Sequence, residues 1–559
     1  MDVALYFHTV RHLRPRQLGA QLLRRLPGRG VVQPVVREPS VRSGLGALTE
    51  LRPLPVVDTG GHWRFLNVSG AAVLAATDWD APGMSRLWRY NLHYFDCLRD
   101  PQLPRAQKVQ LIDAWIEKVP FGARDAWDAY PVSVRIVNWV KFFIELGPER
   151  IPRAWLVSLA RQAQWLATHL EYHLQANHLL KNAVALCFAG AYLSGAQADR
   201  QLRRGWRLFT EQVLEQFLPD GGHYERSPMY HALCLIDSLD VLSLARQPPL
   251  RARLAPPPRL LERIRAACGF LRDVSAPDGE LPLFNDSAFG IVQPPARILE
   301  YAGQVLTGGV EAPSALHSAR DGLIEKSASG YYGFRRGGDW LLIDCGAVGP
   351  DHQPGHAHCD TLSYELSLDG QRIVVDTGVH DYEAGGTRQL ARRSSSHNTV
   401  TIDGCEQSQI WGAFRVGRRA RPLAATLAGD AERGRFEGAH DGFCRLPGKP
   451  VHRRTVEWNT AGIAVVDEVQ GGGWHRAESR VRLHPGYTPV IQAGYAVICG
   501  PDGQPAARLE FTSGVRPELE DGQYFPEFGR AAACRVLVFR VSGELPLRIA
   551  YRIHKAPRA

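Results

Sequence analysis

No run in this 559-residue chain approaches the roughly 20 consecutive apolar residues needed to cross a bilayer, so a soluble protein without membrane insertion is expected. The ten cysteines include no CxxC pair, which leaves neither a zinc ribbon nor a dithiol redox motif supported. They read as small buried hydrophobes of a reducing compartment. Lysine is scarce: seven of the 66 basic residues are Lys and the rest are Arg. Arginine's planar fork suits carboxylate and sulfate partners, although a GC-rich coding bias gives the same composition. The arginines are scattered. Without zinc-finger spacing, an RNA-binding aromatic motif or a basic helix, the formal charge of +9 does not point to nucleic acid. No secretory leader is expected either. Only Val3 to Phe7 is apolar before His8 and Arg11 intervene, against the about 7 to 15 apolar residues of a signal sequence, so a cytoplasmic location is expected.

What is present divides into two periodicities. From about Trp63 to Leu306 apolar residues recur at helical spacing, as in "AWLVSLARQAQWLATHLEYHLQANHLL", with short Gly, Pro and Asp breaks between segments. Pro219-Asp220-Gly221-Gly222 ends one predicted helix, and Ser227-Pro228 opens the next with an N-cap and a first-turn proline. This half reads as stacked helical hairpins. From about Gly322 the pattern changes to β-branched, alternating runs such as "WLLIDCG", "RIVVDTG" and "RVLVFRV", with Asp369-Gly370 as a two-residue hairpin turn. The second half reads as mostly antiparallel sheet, and "GGVEAPSALHSARDG" as the join.

Around that hairpin sit His352, His356, His358, Asp360 and Asp376, a concentration that suggests a metal, an acid/base pair, or both. Four motifs occur in order: "QANHLLKNA", "DGGHYERSPMYH", "GHAHCDTLSYEL" and "RRSSSHNTV". Together they resemble the heparinase II/III family of polysaccharide lyases, which also includes oligoalginate lyases. The resemblance covers about residues 60 to 559 and implies an α+β multidomain chain, an incomplete α/α toroid over 61–312 and an antiparallel β-sandwich over 313–559, with an N-terminal arm expected over 1–60 before them. A sugar chain would lie in the cleft between the last two. It implies β-elimination of an acidic, uronic-acid-containing polysaccharide, and it keeps a periplasmic location open, as in secreted members. The sequence says nothing of oligomeric state.

The chemistry accounts for the residue types. The C5 proton of a uronate is weakly acidic, and the ionised carboxylate beside it opposes the carbanion, so an amide or a cation must neutralise that charge. The resemblance places Asn177 on the carboxylate with His178 beside it, and Tyr230 and His356 as the two proton-transfer groups. Tyr224 is an alternative phenol. Taken alone, the Asn177-His178 pair also fits a helix-packing contact and Tyr230 a core aromatic. His358, Asp376 and His397 are the implied ligands of a structural zinc, a mixed N/O set that zinc accepts. In an extended strand His356 and His358 would share a face. Asp376 would then pair opposite Ser363, about 16 Å along the strand from His358 at about 3.3 Å per residue, so either "PGHAHCD" curls back as a loop or Asp360 replaces Asp376. A metal-free histidine cluster is the plainer alternative. Arg135, Asn138 and Trp139, and Tyr90, Asn91, His93 and Tyr94, suit either sugar contacts or toroid packing. Tyr382, Arg388, Arg392 and Arg393 are expected to meet acidic groups of the polymer. "EQSQIWGAFRVGRRA" has no assigned role. Two other functions remain: a glycoside hydrolase using Asp220, Glu225 and Asp286, and a non-catalytic polysaccharide-binding factor.

Overall fold

The computed structural model describes residues 3–25, 32–36, 38–74, 77–307, 320–511 and 514–556. Most of the join read from sequence, 308–319, lies outside them. Helices Val3–Val10 and Pro15–Arg25 precede an irregular segment and a small hairpin, His62–Phe65 with Val68–Ala72. That hairpin corrects the helical reading from Trp63. Leu66 and Asn67 hold φ of 55° and 61°, a left-handed two-residue turn that an Asn permits and a count of apolar spacing overlooks.

Beyond it, helix follows helix: Arg86–Tyr94, Arg105–Lys118, Ala129–Leu146, Arg153–Thr168, Ala176–Tyr192, Ala196–Gln216, Pro228–Ala245, Pro258–Val274 and Pro295–Thr307. Ala176–Tyr192 is buried almost throughout, walled by its neighbours. It approaches Ala196–Gln216 backbone to backbone through two glycines. A Cβ on Gly190 would lie 2.5 Å from the Leu202 nitrogen, and one on Gly205 would lie 2.8 Å from the Cys187 nitrogen. The breaker and cap behave as read: the Ala196–Gln216 helix stops before Pro219, and the Ser227 hydroxyl accepts from the Tyr230 N–H at 3.1 Å.

The second half is antiparallel sheet. Five strands pair in chain order, Gly322–Lys326, Tyr331–Arg336, Asp339–Asp344, Tyr364–Leu368 and Gln371–Val374. Asp369 and Gly370 both take positive φ at the tip of the last hairpin, as the turn requires. An eight-stranded sheet runs in spatial order Thr426–Gly429, Gly434–His440, Val451–Asn459, Gly462–Gln470, Leu547–Lys555, Pro505–Phe511, Tyr495–Cys499, Thr488–Ile491. A four-stranded sheet contains Glu518–Tyr524, Ala532–Glu544, Trp474–Arg482 and Val400–Ile402. One apolar core, including Phe334, Leu341, Leu366, Val456, Val465, Leu537 and Phe539, joins all three. The other face of the five-stranded sheet meets the toroid: Trp340 and Leu342 pack with Phe270, Val274 and Phe284. Asp339–Asp344 is therefore buried on both faces, which is why "WLLID" does not alternate.

A buried polar network stiffens the sandwich behind the cleft. Arg454 donates to both Asp467 oxygens at 2.7 and 2.8 Å, and His452 and Ser479 complete the carboxylate's partners. Burial opposes ionisation of Asp467, but the Arg454 charge and the His452 bond hold it well below the usual carboxylate range. Arg454 also donates to the carbonyls of Leu362 and Asn398, tying down two segments that lead into the site.

The N-terminal segment spans the two halves through Arg14, just before the second helix, and Gln17 within it. Arg14 donates to the Gln175 side chain at 3.1 Å and pairs with Glu215 on the toroid, while Gln17, buried, donates to the His352 carbonyl at 3.1 Å on the sandwich side.

Candidate functional site

Four segments converge between toroid and sandwich, and each is delivered through left-handed backbone at a non-glycine residue. Gln175 and Ala176 (φ 63° and 50°) precede Asn177, Arg226 (56°) precedes the Ser227 cap, Asn285 (57°) precedes Asp286, and Leu362 (66°) follows the histidine loop. Such conformations cost free energy that the surroundings must offset, and they cluster where side-chain direction is over-determined.

His356 and His358 lie on irregular backbone before Tyr364–Leu368, not on an extended strand, so the loop does curl back. Their rings meet on one carboxylate. Asp286 Oδ2 is 2.9 Å from His356 Nδ1, and Oδ1 is 2.9 Å from His358 Nε2. Arg388 forks onto the same group through both terminal nitrogens. Burial alone would raise Asp286, but the Arg388 charge and the two imidazole bonds hold it well below the usual carboxylate range. Asp286 thus holds His356 through Nδ1, while its Nε2 lies 3.4 Å from Glu225 Oε2, on the side of the Asn177 amide. The Asp286 carbonyl accepts from the Ser227 hydroxyl at 2.6 Å, linking the histidine loop to the cap of the Tyr230 helix.

Asn177 lies on the opposite wall, its Nδ2 3.5 Å from His356 Nε2. Glu225 turns the amide: its Oε1 accepts from both the backbone and the side-chain nitrogen of Asn177 at 3.0 Å. The Tyr230 ring stacks on His356 with centroids 3.8 Å apart, and its hydroxyl meets that of Tyr382 at 3.1 Å. Burial, with the Tyr382 contact, pushes the Tyr230 phenol well above its ordinary range, which keeps it protonated.

Behind this set, His358, Asp360 and His397 place ligand atoms within 4.8 Å of one another, all buried. His358 Nδ1 and His397 Nε2 have no hydrogen-bond partner, whereas their opposite nitrogens are held by Asp286 and Asp376. Orphaned imidazole nitrogens aimed at a shared carboxylate, each braced behind by another carboxylate, fit a cation. Burial, opposed by the Asp286 bond, brings His358 down to about 4, and burial raises Asp360 to about 6. Asp376 is not in the converging trio. It occupies His397 Nδ1 at 2.9 Å and accepts from Ser363, the residue expected opposite it.

The remaining candidates separate. His178 sits next to Asn177, part-exposed and paired with Glu171 at 3.0 Å. Tyr224 is buried against His223 and His352 and is not the ring over His356. Arg135 must be withdrawn from substrate binding: it is 0% exposed, its nitrogens go to Gln162 and the carbonyls of His93 and Ala126, and it lies over Trp115. Arg392 must be withdrawn for the same reason, being spent on the carbonyls of Ala357, Gly412, Ala413 and Arg415. Arg388 meets Asp286 rather than the polymer. The orienting roles of Asp286 and Glu225 escaped the sequence reading. The available signal was "LPLFNDSAFG", where Asn285-Asp286-Ser287 interrupts an apolar run.

Sequence families described as heparinase II/III N-terminus and heparinase II/III-like, C-terminal, match residues 87–294 and 321–552. The chain belongs to the heparinase II/III family. It is similar to a heparin-sulfate lyase of Bacteroides thetaiotaomicron, 25% identical over 422 residues, covering 67% of this chain and 56% of that protein. A heparin-sulfate lyase of Pedobacter heparinus is 25% identical over 346 residues, covering 56% and 50%. The chain thus spans about half the length of the curated relatives it matches. A crystal structure of heparinase III shares the fold with TM-score 0.69 at 17% identity, over 97% of this chain and 90% of that one.

Proposed function

We propose that the chain is a polysaccharide lyase that cleaves a uronic-acid-containing acidic polysaccharide by β-elimination. The observation that carries this reading is the packing of the Tyr230 ring on His356, with the Asn177 amide on the facing wall. A base takes the C5 proton, its electron pair forms the C4=C5 bond, the C4–O bond breaks, and the departing oxygen is protonated. His356 Nε2, with Asp286 behind Nδ1, suits the base. Tyr230, held protonated by burial, suits the acid. Asn177 donates to the uronate carboxylate as charge moves onto it. The hydrolase reading has no free carboxylate pair: Asp220 is spent on Ser329, Glu225 on Asn177, and Asp286 on two histidines and an arginine.

Heparan sulfate, alginate, hyaluronate and bacterial exopolysaccharides are the polymers to screen. New ultraviolet absorbance marks elimination; new reducing ends without absorbance would replace this reading with hydrolysis, and neither would leave binding. Asn177→Ala should lower kcat by about 3 kcal/mol of transition-state stabilisation, more than it raises KM. A raised KM with unchanged kcat would make Asn177 an ordinary binding residue.

His358, His397 and Asp360 would hold a zinc ion, with Asp376 orienting His397; bound there, the metal would pin the loop that carries His356. His358→Ala should lower both metal content and melting temperature, because a metal held only by the folded chain adds its binding free energy to folding. Metal-free wild-type protein with an unchanged melting temperature would remove the site.

A further inference from the structure

The motif left without a role, "EQSQIWGAFRVGRRA", folds as a short hairpin, Ile410–Trp411 with Arg415–Val416, whose tip is Gly412-Ala413-Phe414. The tip is fastened from below by the helix Gly386–Arg392. Arg388 Nε donates to the Ala413 carbonyl at 2.9 Å, Gln389 to Gly412 at 2.6 Å, and Arg392 to Gly412 and Ala413 at 3.1 and 3.3 Å. On its far side the Trp411 indole donates to Thr9 at 3.1 Å and packs on Tyr6. A loop held this firmly presents a large apolar ring that its own protein covers only in part. Phe414 is 42% exposed, with its ring centroid 6.3 Å from that of His356 and 5.2 Å from that of Tyr382, and the Arg388 guanidinium 5.4 Å from its ring.

Leaving apolar ring surface in water forfeits the free energy of burying it, and here that surface adjoins the proton-transfer pair. The neighbouring aromatic, Tyr382, is engaged by Tyr230, Phe528 and Arg388. Pyranose rings carry a face of C–H bonds that an aromatic surface covers well, while their hydroxyls stay turned toward water and polar side chains. Resting on the lyase reading above, we propose that Phe414 is the stacking platform for a sugar unit of the polymer beside the reacting uronate, and that the hairpin exists to hold it there.

The test compares wild type with Phe414→Ala, Phe414→Leu and Phe414→Tyr, using heparan sulfate, alginate and hyaluronate chains as probes. Turnover and calorimetric binding are measured side by side. On the polymer that wild type turns over, Phe414→Ala and Phe414→Leu should raise KM about tenfold, and Phe414→Tyr should stay within about twofold, since an aromatic contact is worth about 0.5–1.5 kcal/mol beyond area. Phe414→Leu keeps bulk without a π-face, so wild-type behaviour there overturns stacking. A loss in kcat alone, or with a lowered melting temperature, makes the residue a brace for Arg388 and overturns it too. Binding that Phe414→Ala weakens, without elimination by wild type, keeps the platform and ends the lyase reading. Binding to none of these three nor to the bacterial exopolysaccharides of the screen ends both.

Discussion

His356→Ala and Tyr230→Phe are each expected to lower turnover by about 10²- to 10⁴-fold, the usual worth of a positioned proton-transfer group, while the fold survives. Neither group holds the core together. The Tyr230 hydroxyl meets only Tyr382 among the described residues, and loss of the His356 ring still leaves Asp286 bonded to Arg388 and His358. Initial rates on the polymer identified by the screen, read with thermal melting of each variant, check both halves of the expectation. Near-wild-type rates in both variants would sink the assignment of the pair. A melting temperature that falls with the rate would show that the residues were mainly structural.

Asp286→Asn is expected to damage stability and catalysis together. The carboxylate accepts from two imidazoles and a fully buried guanidinium, and an amide can offer only one oxygen to those donors. Arg388 is then left without a counter-charge, and a buried pair broken on one side typically costs about 3–5 kcal/mol. Activity should fall a further 10- to 100-fold or so through a misaimed His356, as when the outer partners of a site's histidines are removed. A denaturant melt and a pH–rate profile separate the effects: an unstable variant whose profile per folded molecule matches wild type would limit Asp286 to a structural role.

The helical half and the sheet half were legible because their periods differ, and the Ser227-Pro228 cap and Asp369-Gly370 turn because those residues have narrow conformational uses. The proton-transfer and amide residues were legible as motifs. Their orienters were not. Glu225 and Asp286 owe their roles to partners 48 and 70 positions away, a separation no local pattern carries. Arg135 and Arg392 misled because a guanidinium that closes a helix junction or caps a loop's carbonyls looks, in sequence, the same as one waiting for an anion. Asp360 and Asp376 were separable only in space. A strand count put Asp376 near Ser363, where it is, but could not show that His397 would occupy it.

The start of the second helix, with Arg14 just before it, ties the two walls of the site together. Arg14 holds the wall two residues before Asn177, and Gln17 holds the other wall four residues before His356. Widening the gap at that end must break one bond or the other, so the two walls cannot work there as freely hinged jaws. The spacing between amide and imidazole is thus fixed twice, at the site by Asp286 and Tyr230 on His356 and outside both domains by this tether, and the polymer must fit a preset gauge rather than draw the walls around itself.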